Sequence, residues 1–81
     1  MKTNELKKGD DVVLTNGWKA RIEDNLKGNV RIATVFGIVT EMGSIYAHNI
    51  DYAIFNGKAI KIEYTDSQLK LKERLKAAGF E

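Results

Sequence analysis

Eighty-one residues are enough for one domain and too few for two independent cores. Hydrophobic residues at 43% and charged residues at 30% suit a folded chain and exclude the composition of disorder. Cysteine is absent, which excludes disulfides and thiolate metal sites, and a net charge of +2 permits nucleic-acid contact without arguing for it.

No stretch approaches the roughly 20 apolar residues of a membrane helix, and Met1-Lys2-Thr3-Asn4-Glu5 lacks a signal peptide's apolar centre. A cytoplasmic protein is expected. A core this small supplies only a few kcal/mol and has no covalent staple, so it must pack efficiently or be completed by a partner.

In chain order, Asp11 to Thr15 reads as the first strand and Trp18 to Asp24 as the second. In the second, Trp18, Ala20 and Ile22 alternate with Lys19, Arg21 and Glu23, the period of a half-buried strand. Asn16-Gly17 between them, like Asn56-Gly57 later, marks a hairpin, because both central residues of a type I′ turn need positive φ. A loop at Asn25-Leu26-Lys27-Gly28-Asn29 leads to a strand over Val30 to Phe36. A five-residue loop there sets Ile22 opposite Ile32, Glu23 opposite Arg31 and Trp18 opposite Phe36, matching apolar with apolar and acid with base. Breaks are expected at Gly37 and Met42-Gly43, bounding short strands at Ile38 to Glu41 and Ser44 to Ile50. Tyr52 to Phe55 and Lys58 to Tyr64 complete the last hairpin.

The tail changes period. Thr65 with Gln68 three residues on forms a capping box; Leu71, Leu75 and Ala78 recur at helical spacing, and Gly79 is a natural stop. Leu69 falls off that face and either packs near the helix entry or sits exposed. The expectation is one domain over residues 1–81, mainly β, with five to seven short antiparallel strands over 6–64 and a helix over 65–79.

The stretch Leu6-Lys7-Lys8-Gly9-Asp10-Asp11-Val12-Val13-Leu14-Thr15-Asn16-Gly17 and the strand after it resemble the opening of SH3-like barrels of the KOW and YajC type. The resemblance covers residues 6 to 36 and implies a small SH3-like antiparallel barrel. Such modules in ribosomal proteins and transcription factors bind RNA or polymerase, but this chain departs from them in lacking a dense basic loop. The block Thr40-Glu41-Met42-Gly43-Ser44-Ile45-Tyr46-Ala47-His48-Asn49-Ile50 is similar to short uncharacterised proteins of tailed bacteriophages.

Chemistry-bearing residues are sparse. His48 is the only histidine, and Ser44, His48 and Asp51 or Glu41 hold the residue types of a hydrolytic triad. On one strand, however, residues 44 and 48 would stand about 13 Å apart, beyond hydrogen-bond reach, so no catalytic residue is assigned. One histidine with scattered carboxylates does not make a metal site, and no glycine-rich phosphate cradle occurs, so no cofactor is expected. If Ile45 and Ala47 face inward, Ser44, Tyr46 and His48 share the outer face. With Glu41 they form the candidate surface for a protein partner. Tyr46 either belongs to that surface or covers the barrel rim. Trp18, on a nearby strand end, suits a stacking or peptide-binding surface beside Tyr46 and His48, but it shares its face with Ala20 and Ile22, which favours a core plug. A second grouping, Lys19 and Arg21 on the outer face with Lys70, Lys72, Arg74 and Lys76 around the helix, is the candidate nucleic-acid contact, against the simpler reading of a solvated helix face. The expected module is non-catalytic, acts through a protein partner or alternatively nucleic acid, and is a monomer or a homodimer.

Overall fold

The computed structural model describes residues 1–24 and 29–79. The strands are β1 (Asp11–Leu14), β2 (Lys19–Ile22), β3 (Val30–Phe36), β4 (Thr40–Tyr46), β5 (Ile50–Phe55) and β6 (Lys58–Lys61). Helix α1 spans Asp66–Ala77, and 3₁₀ turns occupy Thr3–Glu5 and Ala47–Asn49. All strand pairs are antiparallel, in the order β4-β3-β2-β1-β5-β6. Four strands meander; the chain then crosses through the second 3₁₀ turn and returns beside β1. The mainly β class with a C-terminal helix is as expected. The edges of this sheet are β4 and β6.

The two Asn-Gly pairs make different turns. Asn56 and Gly57 have φ of 52° and 78° between paired Phe55 and Lys58, a two-residue type I′ hairpin. At the first pair only Gly17 is left-handed, at 89°. Leu14 N–H donates to the Trp18 carbonyl (2.8 Å) and Gly17 N–H to that of Leu14 (2.9 Å), closing a three-residue loop with a glycine bulge. The Asn16 side chain accepts from Trp18 N–H at 3.0 Å, so it shapes the turn without leaving ordinary φ.

The expected break at Met42-Gly43 is absent. Strand β4 pairs without interruption from Thr40 opposite Phe36 to Tyr46 opposite Val30, and Gly43 faces the small Ala33. The chain reverses at 37–39, at the expected Gly37 break, so the strand expected from Ile38 starts at Thr40, and the strand expected over Ser44 to Ile50 stops at Tyr46 before the 3₁₀ turn. Lys58 to Tyr64 is also shorter than expected, ending at Lys61.

The β2–β3 register differs from the expected one by a residue: Ile22 faces Ala33, Arg21 faces Thr34 and Lys19 faces Phe36. The five-residue loop expected at 25–29 falls mainly on residues 25–28, outside the described residues, but the register itself corrects the pairing that the loop implied. A one-residue slip turns a whole strand over. Arg31, Ala33 and Val35 therefore face the interior, while Ile32, Thr34 and Phe36 face outward with Arg21, whose guanidinium lies 5.8 Å from the Phe36 ring. The Glu23–Arg31 pair does not form. Glu23 accepts from the Thr34 hydroxyl, and Arg31 is buried, donating to Asn4 Oδ1 (2.7 Å) and the Val30 carbonyl (2.8 Å). Desolvation lowers the Arg31 pKa, opposed by the nearby charge of Asp24.

The interior is built from Leu6, Val12, Leu14, Ala20, Ile22, Ala33, Ile50, Ala53 and Ile62. Full burial of each larger aliphatic side chain contributes about 1.5–3 kcal/mol. The capping box forms as expected: Gln68 N–H donates to Thr65 Oγ1 (3.2 Å), and Thr65 N–H to Gln68 Oε1 (3.0 Å). Gly79, at φ 84°, follows the helix end at Ala78. Leu71 and Leu75 are half-buried, Ala78 and Leu69 exposed. The most buried helical residue is polar: Gln68 donates from Nε2 to Thr3 Oγ1 at 2.8 Å.

Candidate functional site

At the end formed by the β1–β2 turn, β4 and the second 3₁₀ turn, a groove of about 790 Å³ opens beside α1. Leu14, Trp18, Val35, Met42, Ile45, Tyr46 and Leu75 supply its apolar wall. Asn16, Glu41, Ser44, Asn49 and Lys72 place polar groups among them. This mix of apolar wall and few polar groups, in that size range, is the composition of a ligand or peptide site.

The register explains the aromatic wall. Setting Lys19 opposite Phe36 brings Trp18 beside Gly37, and a Cβ on Gly37 would fall 2.4–2.9 Å from the Trp18 ring. The indole lies on bare backbone. Trp18 is 44% exposed, so it lines the groove instead of plugging the core. Its place at the strand end, beyond Ala20 and Ile22, explains the difference.

Glu41, Ser44, Tyr46 and His48 all line this one groove. By the β4 register Ser44 and Tyr46 stand on the face opposite inward Ile45, as expected, whereas Glu41 lies on the Ile45 side and His48 is not on a strand. His48 sits in the second 3₁₀ turn, 1% exposed, with its ring stacked on Tyr46 at 5.2 Å between centroids and 10° between planes. Tyr46 forms the accessible layer over it, at 38% exposure. Asp51, the remaining acid of the triad types, is engaged by Lys61 and does not line the groove. Among the described residues, no group of three or more His, Asp or Glu is placed to hold a metal ion.

The basic residues are divided. Lys19 and Arg21 alternate with buried Ala20 and Ile22 on the outer face, and Arg21 pairs with Asp11 at 3.1 Å. On α1, Lys72 lines the groove on the inner side, whereas Lys70 and Arg74 border a separate shallow surface with Glu73. Two residues of spacing is about 200° around a helix, which accounts for this separation. Lys76 is exposed one turn beyond Lys72.

Sequence reasoning missed Met42 and Lys72 as groove residues and ranked a place for Trp18 beside Tyr46 below a core plug, because its alternation with Ala20 and Ile22 pointed inward. No described helix is long and apolar enough to cross a membrane. Comparison with protein-family models, curated proteins and solved structures finds no match to this chain.

Proposed function

We propose that this chain is a non-catalytic binding module whose groove, walled by Trp18 and Tyr46 and edged by β4, accepts an extended segment of a protein partner. The observation that carries the reading is the convergence of Glu41, Ser44, Tyr46 and His48 with exposed Trp18 in one groove beside an unpaired strand edge. An edge strand offers main-chain hydrogen bonds, and a flanking groove accepts alternate side chains; together these define peptide recognition by strand addition. Aromatic walls supply large contact area at low entropic cost. His48 supports the non-catalytic reading, because a ring this buried under Tyr46 presents almost no surface to a substrate.

The test is selection of a displayed peptide library on the immobilised chain, repeated with Trp18→Ala and Tyr46→Ala variants. Peptides enriched on the native chain and lost on both variants are expected. No enrichment, or enrichment unchanged by both variants, overturns the reading.

The nucleic-acid reading draws less support, since its cations lie on opposite sides of the sheet and Arg21 is already paired with Asp11. It predicts low-salt binding that falls steeply with added salt.

A further inference from the structure

The outer face of the sheet shows how this chain holds a cation. Arg21 lies over the Phe36 ring, 5.8 Å from its centre, and pairs with the Asp11 carboxylate at 3.1 Å. An aromatic face and a carboxylate both attract the guanidinium, the first through its quadrupole and the second through its charge.

The inner face sets out the same two partners in the groove. Trp18 stands opposite Leu14 and alternates with Lys19, so its side chain falls on the inner side with buried Ala20. The indole lies against Gly37, and only the missing side chain there lets it extend across β3 toward β4. Glu41 faces inward Val35, so it stands on this same face. Gly37 is two residues beyond Val35, which makes the seat of the indole a diagonal neighbour of Glu41. Such neighbours are about 7–8 Å apart, within reach of long side chains. Trp18 and Glu41 are both exposed, and both line the groove. Unlike Asp11, Glu41 forms no ion pair among the described residues. Lys72 lines the groove from α1 and does not pair with it.

We propose that this corner of the groove, between the Trp18 indole and the Glu41 carboxylate, binds a lysine or arginine side chain of the partner segment. This deepens the groove reading and rests on it: the partner is a basic segment, and one cationic side chain fixes its position. Charge complementarity selects that class. An apolar side chain between the ring and Glu41 would strip water from a carboxylate and give nothing back. An acidic one would meet like charge. A cation pairs with Glu41 while its aliphatic stem lies along the apolar wall, and tryptophan is the best aromatic face for it.

The test selects a displayed peptide library on the native chain and on Glu41→Gln and Glu41→Lys. Glu41 is exposed, and circular dichroism checks that both variants fold. The native chain is expected to enrich peptides with lysine or arginine at one aligned position. Glu41→Gln should still enrich peptides but lose that preference, and Glu41→Lys should replace it with aspartate or glutamate. In one peptide selected on the native chain, methionine is then put in place of the basic residue. The change should weaken binding about ten-fold on the native chain and less than about two-fold on Glu41→Gln. Trp18→Leu, which keeps apolar bulk and removes the ring, should shrink the ten-fold ratio as well. Enriched peptides with no basic position, or a ratio that stays near ten-fold on Glu41→Gln, overturn the proposal and leave the groove reading standing. So does enrichment of an acidic residue alone on the native chain, which would assign recognition to Lys72. No enrichment at all overturns the groove reading itself, and this proposal with it.

Discussion

Trp18 depends on a neighbour without a side chain. Gly37 provides it, and the close approach of the indole leaves no room for a methyl group there. Gly37→Ala should therefore displace the ring and cost about 1–3 kcal/mol in urea unfolding, the range for overpacking. Trp18 is the only tryptophan, so its emission reports the displacement directly. An unchanged emission maximum with unchanged stability would show that the ring does not rest on Gly37. This contact was not legible in the sequence, because matching Glu23 with Arg31 suggested a register one residue away. The interior made the opposite choice: it took Arg31 inward to Asn4 and set small Ala33 opposite Ile22. Charge pairing on an exposed face is worth a few tenths of a kcal/mol, less than the burial it competes with.

Helix α1 shows the same balance at the level of an element. Its start was legible, because the Thr65–Gln68 box is a local motif with a local cause. Its anchor was not, because Gln68 reaches Thr3 across 65 residues of sequence. Gln68→Leu leaves the buried Thr3 hydroxyl without this partner and removes half the box, so a loss of about 2–3 kcal/mol is expected from denaturant unfolding. Adding Thr3→Val should recover part of it, since removing both partners costs less than removing one. No recovery would assign the loss to the cap alone. The connector before the helix is pinned by Tyr64, whose hydroxyl donates to the Ile50 carbonyl at 2.7 Å. Burial raises the Tyr64 pKa above its usual value of 10.0; the Lys61 charge pulls it down and the Asp51 charge pushes it up. A raised folded pKa means that the contribution is complete below the unfolded pKa and is lost as pH rises through the folded one. Stability should fall above about pH 10. Tyr64→Phe should flatten part of that fall, at a cost of about 1 kcal/mol at neutral pH. Exposed Lys61, raised through its hydrogen bond to Asp51, adds a loss of the same sign in the alkaline range, so the variant should not abolish it.

At the scale of the molecule, the class and both hairpin positions follow from Asn-Gly spacing and alternation, which act over a few residues. The continuity of β4 through Gly43 and the burial of His48 depend on the partner strand and the returning chain, which no local pattern encodes. The candidate surface was legible as a set of residues but not as a groove. Glu41, Ser44, Tyr46 and His48 stand close in sequence, while Trp18 and Lys72 reach the same groove from the ends of the chain. The division of basic residues predicts a weak electrostatic footprint: removing Lys70 and Arg74 together should leave peptide binding within about two-fold, because distant charges are screened at physiological salt. A loss of ten-fold or more would place the partner on the helix instead. The most direct measurement is an amide chemical-shift titration of the isotope-labelled chain with a library-selected peptide. Binding at the groove predicts the largest changes over Glu41 to Tyr46 and at the Trp18 indole, with β6 and the Lys70–Arg74 side of the helix unmoved. Saturable changes confined to that helix side, or to Lys19 and Arg21, would contradict the account.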